Sequence, residues 1–449
     1  MELKGKKILV VGLGKTGVGS AKFLALKGAV VFVTDAKAIT LPADLLQMGI
    51  QQIPHDRILV SEFDLIVPSP GVPPSNSILR DATSAKIEIM SELELAYRFV
   101  KSPITPIIAI TGTNGKTTTT NLIAKILEMG GKKVFVGGNI GNPFIEYVSS
   151  KQDVDIIVLE VSSFQLLYVS TFRPAVALML NITRDHTDYH GSFEEYVFAK
   201  GKIFANQNND DVAIINAEEA YSVGVGEKTH AQKLYFSSRK QVSDGMFFNE
   251  KEIIRVNNKT IVDCYKIENI KIPGRHNIEN IMASILATES CGIAHETIER
   301  VIENFHGIAH RIEFVANHNG VSFFDDSKGT NVDATFRALE SFNKPIVLLM
   351  GGKDKDSDFG ALKDIIKRKV RKLILFGEAR NVIEKAIGKS VDIASVDNMK
   401  VATQMACREA KNEEVVLLSP GCASFDEFSS YKERGEVFQR IVKEEIGVR

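Results

Sequence analysis

Cysteine is scarce in this chain of 449 residues. Its four cysteines, Cys264, Cys291, Cys407 and Cys422, lie far apart with no Cys-x-x-Cys pair. That spacing argues against a disulfide framework or a structural zinc site and fits reduced thiols in a cytoplasmic protein. Long apolar runs are also missing. Stretches such as Ala175–Leu180 fall far short of the roughly 18 residues a membrane helix needs, so no membrane insertion is expected. The first residues run straight into a strand-like segment without a secretory apolar core. Neither sign of charge is in excess, with 55 Lys and Arg against 56 Asp and Glu. A basic nucleic-acid face or a polybasic membrane patch is therefore not expected. There are no period-level repeats and no low-complexity tracts.

What is present is an ordinary globular balance, 44% hydrophobic and 25% charged. At roughly 100–200 residues per domain, the length suggests about three domains. Three segments each open on an apolar strand and alternate strands with helical patterns, the signature of mainly parallel sheets covered on both faces. The expected fold class is α/β with three domains: a Rossmann-like domain over 1–99, a central P-loop-type ATPase domain over 100–307 and a Rossmann-like domain over 308–449. Prolines near Val100–Pro106 mark the first boundary. Short alternating pieces from about Lys233 to Lys271 predict a small antiparallel addition. A long helix is predicted from about His276 to Cys291, and Asn319-Gly320 predicts a two-residue hairpin.

Two glycine-rich turns carry most of the chemistry. Gly112-Thr113-Asn114-Gly115-Lys116-Thr117 follows a strand and opens a helix. In that setting backbone N–H groups and the helix end form an anion cradle. Lys116 would reach the β- and γ-phosphates of ATP, and the hydroxyl of Thr117 would bind Mg²⁺. The loop lacks the first glycine of the common pattern, since Ile110 stands in its place. The other turn, Gly12-x-Gly14-x-x-Gly17 with Asp35 after the next strand, is a dinucleotide fingerprint by pattern. It fits a nucleotide or sugar-nucleotide diphosphate and leaves a nicotinamide-dependent oxidoreductase open.

Other residues gather at strand ends, where an α/β sheet binds its ligands. Glu160 ends one strand, a place where Mg²⁺ is held beside a phosphate loop. Asp185, His186, Asp188 and His190 crowd the end of another. The helix Phe193–Phe204 carries Lys200 and Lys202, which by spacing alone read as surface charges. In the third segment Asp326, Lys328 and Thr330 form a polar turn, and His310 and Arg311 could approach them through the hairpin. The stretches Gly351–Phe359 and Ser419–Phe428 also follow strands.

Together TGTNGKTTT, GGNIGNP, EVSSFQL, NITRDHTDYHG, PGRHNIENIMAS, HRIEF, DDSKGTN and SPGCASFDEF resemble the Mur ligases of bacterial cell-wall synthesis over the whole chain. DDSKGTN and SPGCASFDEF narrow the resemblance to the branch that adds D-glutamate. A folylpolyglutamate-synthetase-like ligase is the related alternative, similar in the middle and third domains. A nucleotide-binding regulator without chemistry is the non-enzyme alternative.

The resemblance implies an ATP-dependent ligase acting on UDP-N-acetylmuramoyl-L-alanine and D-glutamate through an acyl phosphate, as a bacterial cytoplasmic protein and a monomer. It assigns Gly112, Thr113, Asn114, Gly115, Lys116, Thr117 and Thr118 to ATP, with Asn277, Asn280, Arg311 and Asp326 around its adenine, ribose or phosphates. Two Mg²⁺ ions are implied, on Thr117, Glu160, His186 and Lys200, with Lys200 carbamylated. Lys116, His186 and Lys200 are the implied catalytic residues. Gly12, Gly14, Thr16, Gly17, Asp35, Ser69, Gly71, Asn139 and Ser162 would contact the uridine-diphosphate substrate. Lys328, Thr330, Lys355, Ser424, Phe425 and Tyr431 would form the D-glutamate pocket. A hinge-type closure near residues 305–311 is expected.

Overall fold

The computed structural model describes residues 1–37, 40–100, 105–150, 152–267, 270, 272, 274–354 and 357–447, with the side chain of Asp188 outside that description. Three sheets follow one another along the chain. The first contains β1 (Lys7–Val11), β2 (Val30–Thr34), β3 (Gln51–Gln52), β4 (Leu65–Pro68) and β5 (Glu88–Ile89) in the order β3-β2-β1-β4-β5. All its pairings are parallel. The order reverses at β1, so a crevice opens beyond the carboxyl ends of β1 and β4, where such sheets bind ligands.

The second sheet contains β6 (Ile107–Thr111), β7 (Val134–Gly138), β8 (Ile156–Glu160), β9 (Val176–Met179), β10 (Val212–Asn216), β11 (Gln232–Ser237), β12 (Gly245–Phe248), β13 (Glu252–Asn257) and β14 (Thr260–Lys266). Its order is β14-β13-β12-β11-β10-β9-β6-β8-β7. β6 and β8 are buried along their whole length, because helices cover both faces of a parallel sheet. The antiparallel addition is smaller than its sequence suggests. β11 and β12 join in parallel, and only β12–β13 and β13–β14 pair antiparallel. Short alternating strands look the same in either direction, since alternation reports a half-exposed face and says nothing of the partner.

The third sheet contains β15 (Glu313–His318), β16 (Val321–Asp325), β17 (Ile346–Gly351), β18 (Val370–Phe376), β19 (Asp392–Ser395) and β20 (Val415–Leu418) in the order β15-β16-β20-β17-β18-β19. β15 and β16 form the expected hairpin. His318 pairs with Val321, and Asn319 and Gly320 have φ of 50° and 77°, the positive values a two-residue type I′ turn requires. The remaining pairs are parallel. The helix predicted from His276 spans Arg275–Glu289. Among the described residues, no helix is long and apolar enough to cross a membrane.

By compactness the chain divides into two units, Met1–Glu268 with Glu279–Ile302, and Asn269–Ile278 with Glu303–Arg449. The first two sheets thus share a unit, and one continuous apolar cluster includes Ile8 and Val10 of β1 with Ile107 of β6 and Phe144 and Ile145 of the helix Phe144–Ser149. Two glutamates of the helix Glu92–Tyr97 join them further. Glu94 accepts hydrogen bonds from the backbone of Ser170, Thr171 and Phe172, from both hydroxyls of Ser170 and Thr171, and from Arg98. Burial alone would raise its pKa, but the donors, led by the Thr171 hydroxyl and Arg98, bring it below the ordinary value. Glu92 accepts from the backbone N–H of Ile145 at 2.6 Å. With so few donors, burial dominates and lifts its pKa to about 7.

The two carboxyls therefore respond oppositely to pH. Glu94 stabilises above the ordinary carboxylate range and loses that contribution as pH falls through its lowered pKa. Glu94→Ala is expected to cost on the order of 3 kcal/mol, read as a shift in the urea midpoint of the first unit. Glu92 stabilises while protonated and loses that contribution as pH rises from about 4.5 to about 7, a fall of roughly 3 kcal/mol. Glu92→Gln, which keeps the acceptor oxygen and cannot ionise, is expected to flatten that fall. Stability–pH curves that run parallel for the wild type and the variant would show that Glu92 ionises normally.

Candidate active site

The loop between β6 and the helix Lys116–Met129 is held open by contacts on three sides. Gly115 caps the helix with φ of 86°, and a Cβ there would stand 2.3 Å from Oδ1 of Asn280. A glycine is needed for both reasons. Asn181, just past β9, clamps the loop from the other side: its Oδ1 accepts from the Asn114 N–H at 2.8 Å, its Nδ2 donates to the Asn114 carbonyl at 3.0 Å, and its carbonyl accepts from the Thr113 N–H at 2.9 Å. The Thr113 hydroxyl lies 2.9 Å from the phenol oxygen of Tyr196.

Two ammonium groups meet at this loop. Lys116 Nζ donates to the carbonyls of Gly112 and Thr113, each at 2.8 Å. Lys200 Nζ donates to the same Gly112 carbonyl at 2.9 Å and lies 4.7 Å from the centre of the Tyr196 ring. Lys200 is 2% exposed, so its surface reading is wrong. The helix Phe193–Gly201 turns this lysine into the protein, and amphipathic spacing cannot show that when the buried neighbours of the helix include a polar loop. Burial, reinforced by the nearby charge of Lys116, lowers the Lys200 pKa well below its ordinary value. Lys202 is half-buried and donates to the carbonyl of Leu167.

Glu160, at the end of β8, is buried and stands on the same sheet edge. Its Oε1 accepts from Asn139 Nδ2 at 2.8 Å, while its Oε2 is buried with no hydrogen-bond partner among the described residues. A buried carboxylate oxygen without a partner fits a cation ligand, because leaving it unmet costs about 1–3 kcal/mol or more. Asp185 and His186 follow β9. His186 sits at φ 52° with its N–H on Asp185 Oδ1 at 2.9 Å, and its ring meets Phe164 edge-on with centroids 4.8 Å apart. His190 shares that neighbour, its ring stacked on Phe164 with centroids 5.5 Å apart and its Nε2 3.0 Å from Ser163 Oγ.

Asn139 also lines a second feature, a cavity of about 530 Å³ at the crevice beyond β1 and β4. Gly12, Gly14, Thr16, Asp35, Ser69 and Gly71 border it with Asn139. Gly17 lies beneath the first turn, where a Cβ would stand 1.9 Å from the Gly12 carbonyl oxygen. Asp35 is a frame for this turn: one oxygen accepts from Leu13 N–H at 2.8 Å and the other from Lys37 N–H at 3.0 Å. Those two bonds, Lys37 first, hold its pKa below the ordinary value. Ser162 does not line the cavity. It caps the short helix Ser163–Leu167 in a reciprocal capping box with Gln165, and Gln165 reaches the cavity instead. The cavity and the phosphate-type loop therefore adjoin through the Asn139–Glu160 hydrogen bond.

In the second unit the turn after β16 draws its expected neighbours together. The Lys328 N–H donates to the His310 carbonyl at 3.0 Å, and Lys328 Nζ lies 5.1 Å from the centre of the Tyr431 ring. Asp326 is buried and accepts from Ser419 Oγ at 2.7 Å. Burial raises its pKa to about 7, opposed by Ser419 and Arg311. Asn277 and Ser424 are buried, Thr330 and Arg311 are half-buried, and Phe425 is 66% exposed. Lys355 lies outside the described residues. His276 is driven down to about 3 by burial and the charges of Arg337 and Arg311.

Arg434 was not foreseen. It is fully buried, and its guanidinium donates to Ser327 Oγ at 3.0 Å, the Ser327 carbonyl at 2.8 Å, the Cys422 carbonyl at 3.0 Å and the Ala423 carbonyl at 3.3 Å. Burial lowers its pKa to about 10. It thereby ties the turn after β16 to the turn after β20, the two turns that carry Lys328 and Ser424. An arginine in a charged helix gives no sequence signal of this, since only the fold reveals which face is covered.

Comparison with known proteins places these features. The profile of the MurD-like Mur ligase N-terminal domain matches residues 6–91, that of the Mur ligase middle domain residues 110–288, and that of the Mur ligase glutamate ligase domain residues 310–422. The UDP-N-acetylmuramoylalanine–D-glutamate ligase of Syntrophus aciditrophicus is 47% identical over 99% of this chain and 99% of its own length. The ligase of the same name from Geotalea daltonii is 44% identical over 99% of this chain and 98% of its own. Among solved structures, the MurF ligase of Thermotoga maritima in complex with ADP aligns over 99% of this chain and 96% of its own, with a TM-score of 0.62 at 16% identity. E. coli FolC in complex with ADP aligns over 78% of this chain and 92% of its own, with a TM-score of 0.57 at 17% identity. Such distant structures speak for the fold, whereas the full-length relatives and the three domain profiles in sequence order speak for descent: the chain belongs to the Mur ligase family.

Proposed function

We propose that this protein joins the amine of D-glutamate to the terminal carboxylate of UDP-N-acetylmuramoyl-L-alanine at the expense of ATP, a step in making the peptidoglycan precursor. The observation that carries this reading is the junction of the cavity with the cation-rich glycine loop through Asn139 and Glu160. A sugar-nucleotide carboxylate seated in the first can meet a triphosphate seated on the second. The names of the full-length relatives agree with it.

A carboxylate does not condense with an amine at neutral pH, because its oxygen is too poor a leaving group. In the proposed reaction the substrate carboxylate attacks the γ-phosphorus of ATP. The bond to the β-γ bridging oxygen breaks, giving an acyl phosphate and ADP. The amine of D-glutamate then adds to the acyl carbon, loses a proton, and phosphate leaves. The protein contributes mostly position and charge. Two unit charges about 4 Å apart repel by roughly 4 kcal/mol at an effective dielectric of 20, so an anionic nucleophile reaches a triphosphate only if cations offset several such pairs. Lys116 supplies one cation. Its ammonium rests on the carbonyls of its own loop and would leave them for a phosphate bound there. Gly112–Thr118 cradle the phosphates, with Asn280 against Gly115. In the second unit Asn277, Arg311 and Asp326 are assigned to the rest of the nucleotide.

Mg²⁺, when bound, supplies further neutralisation of the phosphates. Thr117 and Glu160 would hold one ion, and His186 with Lys200 a second. Lys200 suits that role as a carbamate, formed when its uncharged amine adds to CO₂ and releases a proton. Burial beside Lys116 favours the uncharged amine, and the carbamate would carry a carboxylate-like anion to the loop. Gly12, Gly14, Thr16, Asp35, Ser69, Gly71 and Asn139, which line the cavity, are assigned to the uridine-diphosphate portion, with Gly17 as support beneath the turn and Ser162 as an assignment from outside that lining. D-Glutamate presents two carboxylates and needs cations and hydroxyls, for which Lys328, Thr330, Lys355 and Ser424 are assigned, with Phe425 and Tyr431 beside them. Domain boundaries near 99/100 and 307/308, a monomeric state and a place in the bacterial cytoplasm complete the proposal.

Phosphate release by the purified protein with ATP and UDP-N-acetylmuramoyl-L-alanine is expected with D-glutamate and not with L-glutamate. Release with folate and L-glutamate instead, or none with D-glutamate, would refute the assignment. Lys116→Ala is expected to lower kcat by about 10²–10³-fold while circular dichroism stays native, the usual loss for removing one charge-stabilising group from a reacting centre.

A further inference from the structure

The corner that leads into the third sheet is strained. His310 and Ile312 have φ of 65° and 47°, and a positive φ at a β-branched residue is a true outlier. Such strain costs about 1–3 kcal/mol per residue and persists only where the surroundings hold it. A knot of polar groups, buried at His310 and Asp325 and half-buried at Glu313 and Gln439, holds it here. His310 Nδ1 lies 2.7 Å from Asp325 Oδ2. The His310 N–H donates to Glu313 Oε2 at 2.8 Å, and Gln439 Nε2 donates to both Glu313 Oε2 and Asp325 Oδ2 at 2.9 Å. The other oxygen of Asp325 accepts from the Ser327 N–H at 2.8 Å, and the His310 carbonyl accepts from the Lys328 N–H at 3.0 Å. His310, Glu313 and Asp325 are close enough to suggest a metal site, but N–H donors already meet the facing carboxylate oxygens.

We propose that His310 and Asp325 form a positioning pair that fixes the strained corner and, through the His310 carbonyl and the Asp325–Ser327 bond, sets Lys328 for D-glutamate. This rests on the ligase reading given above. Neither residue touches the reacting atoms; both act on the turn that carries Lys328. The groups facing His310 are Glu313 on β15, Asp325 on β16, the Lys328 N–H in the turn, and Tyr431 and Glu436 on the helix Tyr431–Glu445, while Arg434 of that helix acts on Asp325. The hydrogen bond to Asp325 raises the His310 pKa, burial opposes it, and the Asp325, Glu313 and Glu436 charges raise it further. The imidazolium is therefore retained above the ordinary histidine range, and the pair is lost as pH rises through that raised value.

The test uses the full chain and two variants, His310→Gln and Asp325→Asn. Both are expected to lower kcat/KM for D-glutamate by about 10- to 100-fold, the usual effect of a displacement near 1 Å, with KM for the muramyl nucleotide unchanged. Asp325→Asn, which leaves a hydrogen-bonding partner for the ring, is expected to move the alkaline limb of the kcat/KM profile to lower pH. Two measurements need no activity. Ring ¹⁵N NMR of the wild type should place the His310 midpoint above the ordinary value of about 6.5. Amide exchange at Lys328 should quicken by about ten-fold in either variant, through local opening of the turn. Folded variants with wild-type D-glutamate kinetics and unchanged Lys328 exchange would overturn the proposal, as would a His310 midpoint at or below about 6.5. If the wild type fails to use D-glutamate, the ligase reading falls while NMR and exchange still decide the pair; if the variants fail to fold, the wild-type midpoint decides it.

Discussion

Two ammonium groups share one backbone carbonyl, that of Gly112, and much of the first unit serves to keep them there. Lys116 arrives from the helix that the loop opens, and Lys200 from a helix far along the chain. Buried like charges repel, so burial and Lys116 favour the uncharged Lys200 amine, while Asp185 and Glu160 oppose that by supplying negative charge. The same arrangement prepares a seat for anions. Asn181 takes up the N–H groups of Thr113 and Asn114, so in the proposed reading the phosphate would meet the end of the helix itself, and one of the two lysines is strongly disposed to give up its proton. Asn181 and Asn280, neither of them charged, keep the loop open enough for this.

Carboxylates in closely similar sequence settings are placed in opposed environments. Glu92 and Glu94 lie two residues apart on one helix. Glu94 meets a row of donors and stays charged, whereas Glu92 meets few and is pushed toward the neutral form. Asp325 and Asp326 are neighbours in sequence. Asp325 faces an imidazole, an amide and a backbone N–H, whereas burial dominates at Asp326 and raises its pKa to about 7. For Glu92 and Glu94 the number of donors that reach each oxygen decides the outcome, since burial acts on both. A group with a pKa near neutrality in a candidate site is able to change its charge when a ligand arrives.

In the second unit a cation plays the organising part that Glu94 plays in the first. Among the described residues no carboxylate is hydrogen-bonded to Arg434, which instead bridges carbonyls and a hydroxyl on two turns. A guanidinium suits this because its planar fork of donors can satisfy several acceptors at once. The His310 knot holds the same turn through other atoms, so Ser327 and Lys328 are each tied by more than one bond. Glycine loops and charged side chains are therefore the visible part of the site, and buried arginine, glutamate and histidine give those loops their shape.

The amino-acid order determined the three α/β sheets, the hairpin at Asn319-Gly320 and both glycine turns by itself. Local physics governs each of these: apolar runs that must be covered on both faces, φ > 0 that only a few residues tolerate, and short-range capping. It also placed the chemical residues at strand ends, since a strand followed by a polar turn is legible in one dimension. Tertiary structure alone decided that Lys200 lies inside, that Arg434 spans two turns, that Glu92 and Glu94 differ, and that β11 and β12 run parallel. Those outcomes depend on which groups from distant parts of the chain meet a side chain. A helix of given composition looks the same whether its lysine faces water or a buried loop, because hydrophobic spacing records average polarity and not the identity of the neighbour.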